Sequence, residues 1–236
     1  MRRYRNSLIL AILFASLLPL PVSGSPDQGH ARRLSTPLGG IAFEVVGQVT
    51  NFPPAGAGQP ATSQQYGYLS LINGRTADQI FATPVPTLQN ESTALFTFFT
   101  DAITERVISN GRLRIVNRTG TTTVYFDATP DGDFNNRDTF RNGTAVLTMA
   151  YRQQVILDTG EASPAPGTGT FTVMNILTVT DVQRFGIGGE SMRLAKRRDQ
   201  FRQFYSGAPP TIGPPPIGVF AGYSVAIGSA NPDQDD

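Results

Sequence analysis

Residues 96–126 read FTFFTDAITERVISNGRLRIVNRTGTTTVYF, and their reading decides the fold. Val, Ile, Thr, Phe and Tyr dominate both halves, with Asn110-Gly111 between them. β-Branched and aromatic side chains suit the pleated, half-buried surface of a strand, and Asn-Gly supplies the positive φ angles of a tight hairpin. The segment therefore predicts a long strand, a turn at Asn110-Gly111, and more strand. Within the second half, Arg118-Thr119-Gly120 reads as a further turn. At residues 95–99, LFTFF, apolar side chains stand side by side instead of alternating, so this strand is covered in part on both faces.

The same texture extends in both directions. Residues 41–52 (IAFEVVGQVTNF) form a strand that ends at Pro53-Pro54, and residues 66–74 (YGYLSLING) close on Asn73-Gly74. Residues 144–160 are a strand pair or one long bent strand, and residues 169–185 continue the pattern. Between residues 190 and 205, Leu194, Arg198, Phe201 and Tyr205 stand at helical spacing. The alternation of Phe201, Gln203 and Tyr205 favours a hairpin instead, with its tip at Lys196-Arg197-Arg198-Asp199. Strand after strand with turn signals predicts an all-β meander. Closure disposes of sheet edges best, so a single antiparallel β-barrel is expected, with a two-sheet β-sandwich as the alternative. Such a barrel resembles the calycin barrels and the dirigent and allene oxide cyclase barrels. The last two guide coupling or cyclisation with few catalytic groups.

The ends of the chain set its organisation. A basic start (Arg2, Arg3, Arg5), the apolar run at residues 8–22 and the small residues Ser23-Gly24 describe a secretory signal peptide over residues 1–24. An uncleaved anchor is the alternative. Residues 25–38 are a polar leader without periodicity, and residues 39–207 hold the barrel. Residues 208–236 form a Pro-rich extension with an apolar segment, IGVFAGYSVAIG, and an acidic tail. The apolar segment returns as a last strand against the body or lies open to aggregation. A chain ending in Asp235-Asp236, with Arg and Gln in its strands, does not read as an outer-membrane barrel. The expected localisation is periplasmic or extracellular, without membrane insertion of the mature chain.

Composition excludes several chemistries. Cleavage after residue 24 removes three arginines and leaves 16 basic against 18 acidic side chains, which lacks the electrostatic footprint of a nucleic-acid binder. Cysteine is absent, which removes disulfides, thiol nucleophiles and cysteine metal sites. The one histidine, His30, lies in the leader, where it cannot serve a packed catalytic triad. Phe185-Gly186-Ile187-Gly188-Gly189 is Gly-rich but no helix follows, so it is a turn between strands and not a nucleotide loop. Lys196, the only lysine, sits beside Arg197 and Arg198 at a solvated tip. Three Asn-X-Ser/Thr triplets, at Asn90, Asn117 and Asn142, are read as chance.

Carboxylate chemistry and non-covalent binding remain. Glu44, Asp101, Glu105, Asp127, Asp158 and Asp181 fall in β-structure. Asp101 and Glu105, four apart on one strand, would stand about 13 Å from each other, too far for paired acid–base work. Pairing with arginines is the plainer role. The segment at residues 127–138, DATPDGDFNNRD, offers Asp131, Asp133, Asn135 and Asp138 as oxygen donors for calcium. The competing reading is a turn built on Pro130-Asp131-Gly132. The favoured function is non-catalytic binding of a small apolar or amphipathic ligand. Tyr66, Tyr68, Phe96, Phe98 and Phe99, with Tyr125 and Phe126, are the candidate cavity lining, although ordinary core is the plainer role for aromatics. A positioning-type isomerase or cyclase and a calcium-stabilised extracellular component are the alternatives. No cofactor other than calcium is implied.

Overall fold

The computed structural model describes residues 32–33, 36–160, 169–211 and 217–229. It is a closed, eight-stranded antiparallel β-barrel. A two-residue strand β1 (Arg32–Arg33) precedes it. The wall is built from β2 (Ile41–Phe52), β3 (Thr62–Ile72), β4 (Phe96–Asn110), β5 (Leu113–Phe126), β6 (Thr144–Asp158) and β7 (Thr170–Val182), then β10 (Asp199–Thr211) and β11 (Ile217–Ser229). Between β7 and β10 the short strands β8 (Phe185–Ile187) and β9 (Glu190–Arg193) form a hairpin, and β1 pairs with β9 in parallel. The signal-peptide segment, His30 and the acidic tail lie outside the described residues.

The hairpin that carries the fold forms as its residues dictate. β4 and β5 pair from Phe96↔Phe126 to Asn110↔Leu113, with Gly111 at φ 60° in the turn. Arg118-Thr119-Gly120 is not a turn, because β5 runs through it without a break. Gly120 is needed there for close approach. A Cβ at this position would lie 2.0 Å from the Asp101 carbonyl oxygen, so only glycine lets β4 and β5 meet at that point. Residues 144–158 are one strand, with register shifts at Val124/Tyr125 against β5 and at Thr148/Met149 against β7.

Two boundaries differ from the sequence expectation. The barrel does not end at Gly207. β10 continues to Thr211, and β11 closes the wall by pairing with both β10 and β2. Without β11 the two strands beside it would be exposed edges, which is the physical reason the apolar segment belongs to the barrel. The expected hairpin across residues 190–205 is also not formed. β9 pairs with β8 and β1, whereas β10 pairs with β7 and β11. Phe201 and Tyr205 do point into the core, and Gln203 lies between them on the same face.

One end of the barrel is filled by apolar side chains from outside the wall. Phe185 of β8 packs on Phe96 and Phe126 with ring centroids 5.5 and 5.3 Å away. Met192, Leu194, Ala195, Ile80 and Phe81 are buried in the same cluster. This is the capped end. The opposite end, where β4 turns into β5, is the arginine end and has no such cap among the described residues.

Candidate functional site

The sequence-derived aromatics divide among three places. Phe98 faces the barrel interior, against Phe220. Phe96 and Phe126 belong to the capped end. Tyr66 and Phe99 point outward and form a separate cluster with Phe140, against which Tyr125 and Phe134 pack. Tyr68 also faces outward, beside Phe81 and Phe134. They do not line one cavity. Alternation explains it: residues 66, 68 and 99 take the face opposite Gln65, Gly67 and Phe98.

The acidic stretch is the cover over that outer cluster. Phe140 is fully buried, and its carbonyl accepts the Thr97 hydroxyl at 3.0 Å. Arg141 stacks 3.3 Å above the Phe99 ring and pairs with Asp101 at 3.4 Å. The proposed calcium donors are used within the loop. Asp131 accepts from Asn142 at 2.7 Å, and Asp133 accepts from the Asn135 backbone at 2.8 Å. Asp138 lies in the first turn of a short 3-10 helix, Arg137–Arg141. Among the described residues no three Asp, Glu or His side chains converge to hold a metal ion. The turn reading fits these contacts, and the calcium donor set is not assembled. The other carboxylates are likewise spread over the exterior: Asp158 pairs with Arg112 at 2.9 Å, and Glu105 accepts from Thr119.

Sequence reasoning missed the polar layer inside the barrel. Gln65, Tyr151, Gln153 and Tyr205 are buried, each on the inner face of its strand. The Gln65 amide donates to Tyr151 Oη, Tyr205 Oη donates to Gln65 Oε1, and Gln153 Nε2 donates to Tyr205 Oη at 2.6 Å. Arg118 enters this layer from β5. Its Nη1 donates to Gln153 Oε1 at 3.2 Å, its Nη2 to Asn51 Oδ1 at 2.7 Å, and its Nε to Thr104 Oγ1 at 3.4 Å. Every partner is neutral. The ion pairs among the described residues are Arg75–Glu190, Arg112–Asp158 and Arg141–Asp101, so Arg118 takes part in none. Burial pushes its pKa below the ordinary arginine value, and Tyr151 and Tyr205 act the other way. Burial also raises both phenols, Tyr205 to about 12. Both tyrosines are therefore hydrogen-bond donors at neutral pH and not bases.

An apolar wall leads to this layer from the rim. Val107, Val116, Val155 and Val173 are successive register partners across β4, β5, β6 and β7, ending beside Tyr205 of β10. Register partners share a face, and Val116, Val155 and Val173 pack in the interior. Exposure falls along the row, from 55% at Val107 to 9% at Val155 and 2% at Val173. Arg118 lies two residues from Val116 on the same face. Deeper in, between the polar layer and the capped end, Phe98, Met149, Leu177 and Phe220 enclose a cavity of about 30 Å³, room for water but not for an organic ligand. A surface hollow of about 220 Å³ near Leu38, Lys196 and Gly228 contains none of the polar layer. No protein-family model matches the chain, and no curated protein or solved structure shows significant similarity to it.

Proposed function

We propose that this is an exported, non-catalytic binding protein for a small amphipathic ligand, taken up at the arginine end of the barrel. The observation that carries the reading is the valine row, which is uncovered at the rim and buried where it meets a polar layer. An exposed apolar strip beside polar groups is how ligand sites combine affinity with orientation. The ligand's apolar part lies on Val107 and Val116, and its polar end reaches the layer of Arg118 and Gln153. The small inner cavity, about 30 Å³, supports binding in the mouth over binding deep in the barrel. Export is supported by the basic start and apolar run of residues 1–24.

Methyl NMR during titration with octanoate and 1-octanol tests the reading. The expected result is saturable shifts at Val107, Val116 and Val155, with the Met192 methyl and the outward Met174 and Ile176 unmoved. Shifts confined to Met174 and Ile176 would mean nonspecific adsorption on the outer wall and would remove the proposal.

A further inference from the structure

We infer that the interior carries an oxyanion site, formed by the free edge of the Arg118 guanidinium and the Ser63 hydroxyl, that selects a ligand bearing one carboxylate. The inference rests on the amphipathic-ligand reading and names the chemistry of the ligand's polar end.

Guanidinium has five N–H donors in a planar fork. The three bonds of Arg118 use one donor on each of its nitrogens. One N–H on each terminal nitrogen is left, which gives two donors for a carboxylate. A largely buried cation surrounded only by neutral acceptors lacks its counterion, and leaving a charge so is costly unless a partner completes it. An incoming anion supplies that partner.

Ser63 gives the second, independent observation. It is 1% exposed, and its Oγ has no hydrogen-bond partner. It lies on the inner face of β3 directly across from Asn51, the residue that holds Arg118 Nη2. To reach Asn51 on β2, the arginine side chain crosses β4 and β3 from β5. The inward residues of the register row that ends at Asn51 are Gly120, Ala102 and Ser63, two residues inside the row of Arg118 itself. An unpartnered buried hydroxyl thus stands next to the Asn51 that anchors the guanidinium. Together they offer three donors to one oxyanion.

The charge of the site sets the ligand class. One buried cation balances one negative charge. The next arginine on the same face, Arg114, is exposed at the rim, about 13 Å along the strand at usual spacing. A phosphate monoester would therefore bring a second charge with no partner. A carboxylate with an aliphatic or aromatic body on the valine row meets both halves of the site.

Calorimetric titration of the full chain with octanoate, 1-octanol and octyl phosphate at neutral pH decides the matter. Octanoate is expected to bind about tenfold more tightly than either of the others, the scale of one charge-assisted hydrogen-bonded pair. Arg118→Met should erase the preference for octanoate over 1-octanol, and Ser63→Ala should weaken octanoate alone by a smaller factor. If Arg118→Met fails to fold, Arg118→Lys is read instead: it keeps the charge but loses the fork, and octanoate should weaken while 1-octanol does not. Equal binding of octanoate and 1-octanol by the wild-type chain, with the valine methyls still shifting, overturns the oxyanion site and leaves the amphipathic-ligand reading standing. Binding of neither overturns both. Tighter binding of octyl phosphate overturns the single-charge assignment.

Discussion

At the capped end, Phe185, Met192 and Leu194 come in from outside the wall and join Phe96 and Phe126 in one continuous apolar cluster. At the arginine end, the inward positions hold Asn51, Ser63, Thr104, Arg118 and Gln153, and the polar atoms bond to one another or, at Ser63 Oγ, to nothing. The strands are the same at both ends. What differs is which side chains their alternation turns inward and whether a further segment covers them. Apolar contact needs no geometry and gains from every methylene buried, so the capped end serves stability. A polar layer contributes little net stability, because each of its bonds replaces one to water, but it is costly to leave incomplete. Under the proposed reading, such a layer serves recognition.

The contrast is sharpest in a pair of substitutions. Met192 is 1% exposed, so Met192→Ala leaves a cavity and should cost about 2–5 kcal/mol in chemical denaturation. Arg118→Met removes three bonds to neutral partners and relieves the burial of a charge, two effects of opposite sign. It should cost less than half as much while abolishing octanoate selectivity. Equal losses in the two variants would make Arg118 a structural residue and break the distinction between the ends.

A smaller effect is expected with alkali. Tyr205 has its pKa raised to about 12 in the folded chain, against about 10 unfolded. The folded state therefore holds this proton more tightly. The associated stability is fully present below pH 10 and is lost as pH rises from 10 towards 12, up to about 3 kcal/mol for two pKa units. Tyr151 shifts in the same direction. Denaturation midpoints at pH 8 and pH 11 measure the loss. Tyr205→Phe should lower stability at pH 8, because Gln65 and Gln153 lose a partner, and should flatten the fall above pH 10. An unchanged alkaline slope in Tyr205→Phe would place the titrating group elsewhere than at Tyr205.

What the sequence makes legible follows the same division. Alternation, β-branched runs and Asn-Gly turns specify strands and barrel because they act locally. The capped end was half visible as a surplus of Phe in residues 96–126. The arginine end was not, because Arg-Thr-Gly has the composition of a turn. Arg118 is an inward residue only because β4 and β6 hold β5 straight on both sides, and Gly120 serves close packing and not a change of direction. The outward Tyr66 and Phe99 misled in a related way. In an isolated barrel they would face water, and it is the loop carrying Phe134 and Phe140 that buries them. One signal in the sequence does point to the site: residues 96–126 contain an inward-parity arginine among Val116, Thr122 and Val124. Reading it requires the strand to be continuous first.

That loop supplies the smallest expected effect and the last test of the contrast. It joins β5 to β6 at the capped end, and its contacts are ring packing around Phe140 and turn bonds of Asp131 and Asp133. If apolar contact holds this end, thermal unfolding in EGTA and in millimolar calcium should give midpoints that coincide. A filled site at about a hundred times its dissociation constant would add about 2.7 kcal/mol and move the midpoint by several degrees. A rise abolished by Asp131→Ala with Asp133→Ala would mean that the loop rearranges to gather its carboxylates around the ion. The capped end would then depend on an ion and not on packing alone. Coincident curves together with a large loss in Phe140→Ala, about 3–5 kcal/mol for a fully buried ring, would assign the loop's hold on the barrel to its two phenylalanines.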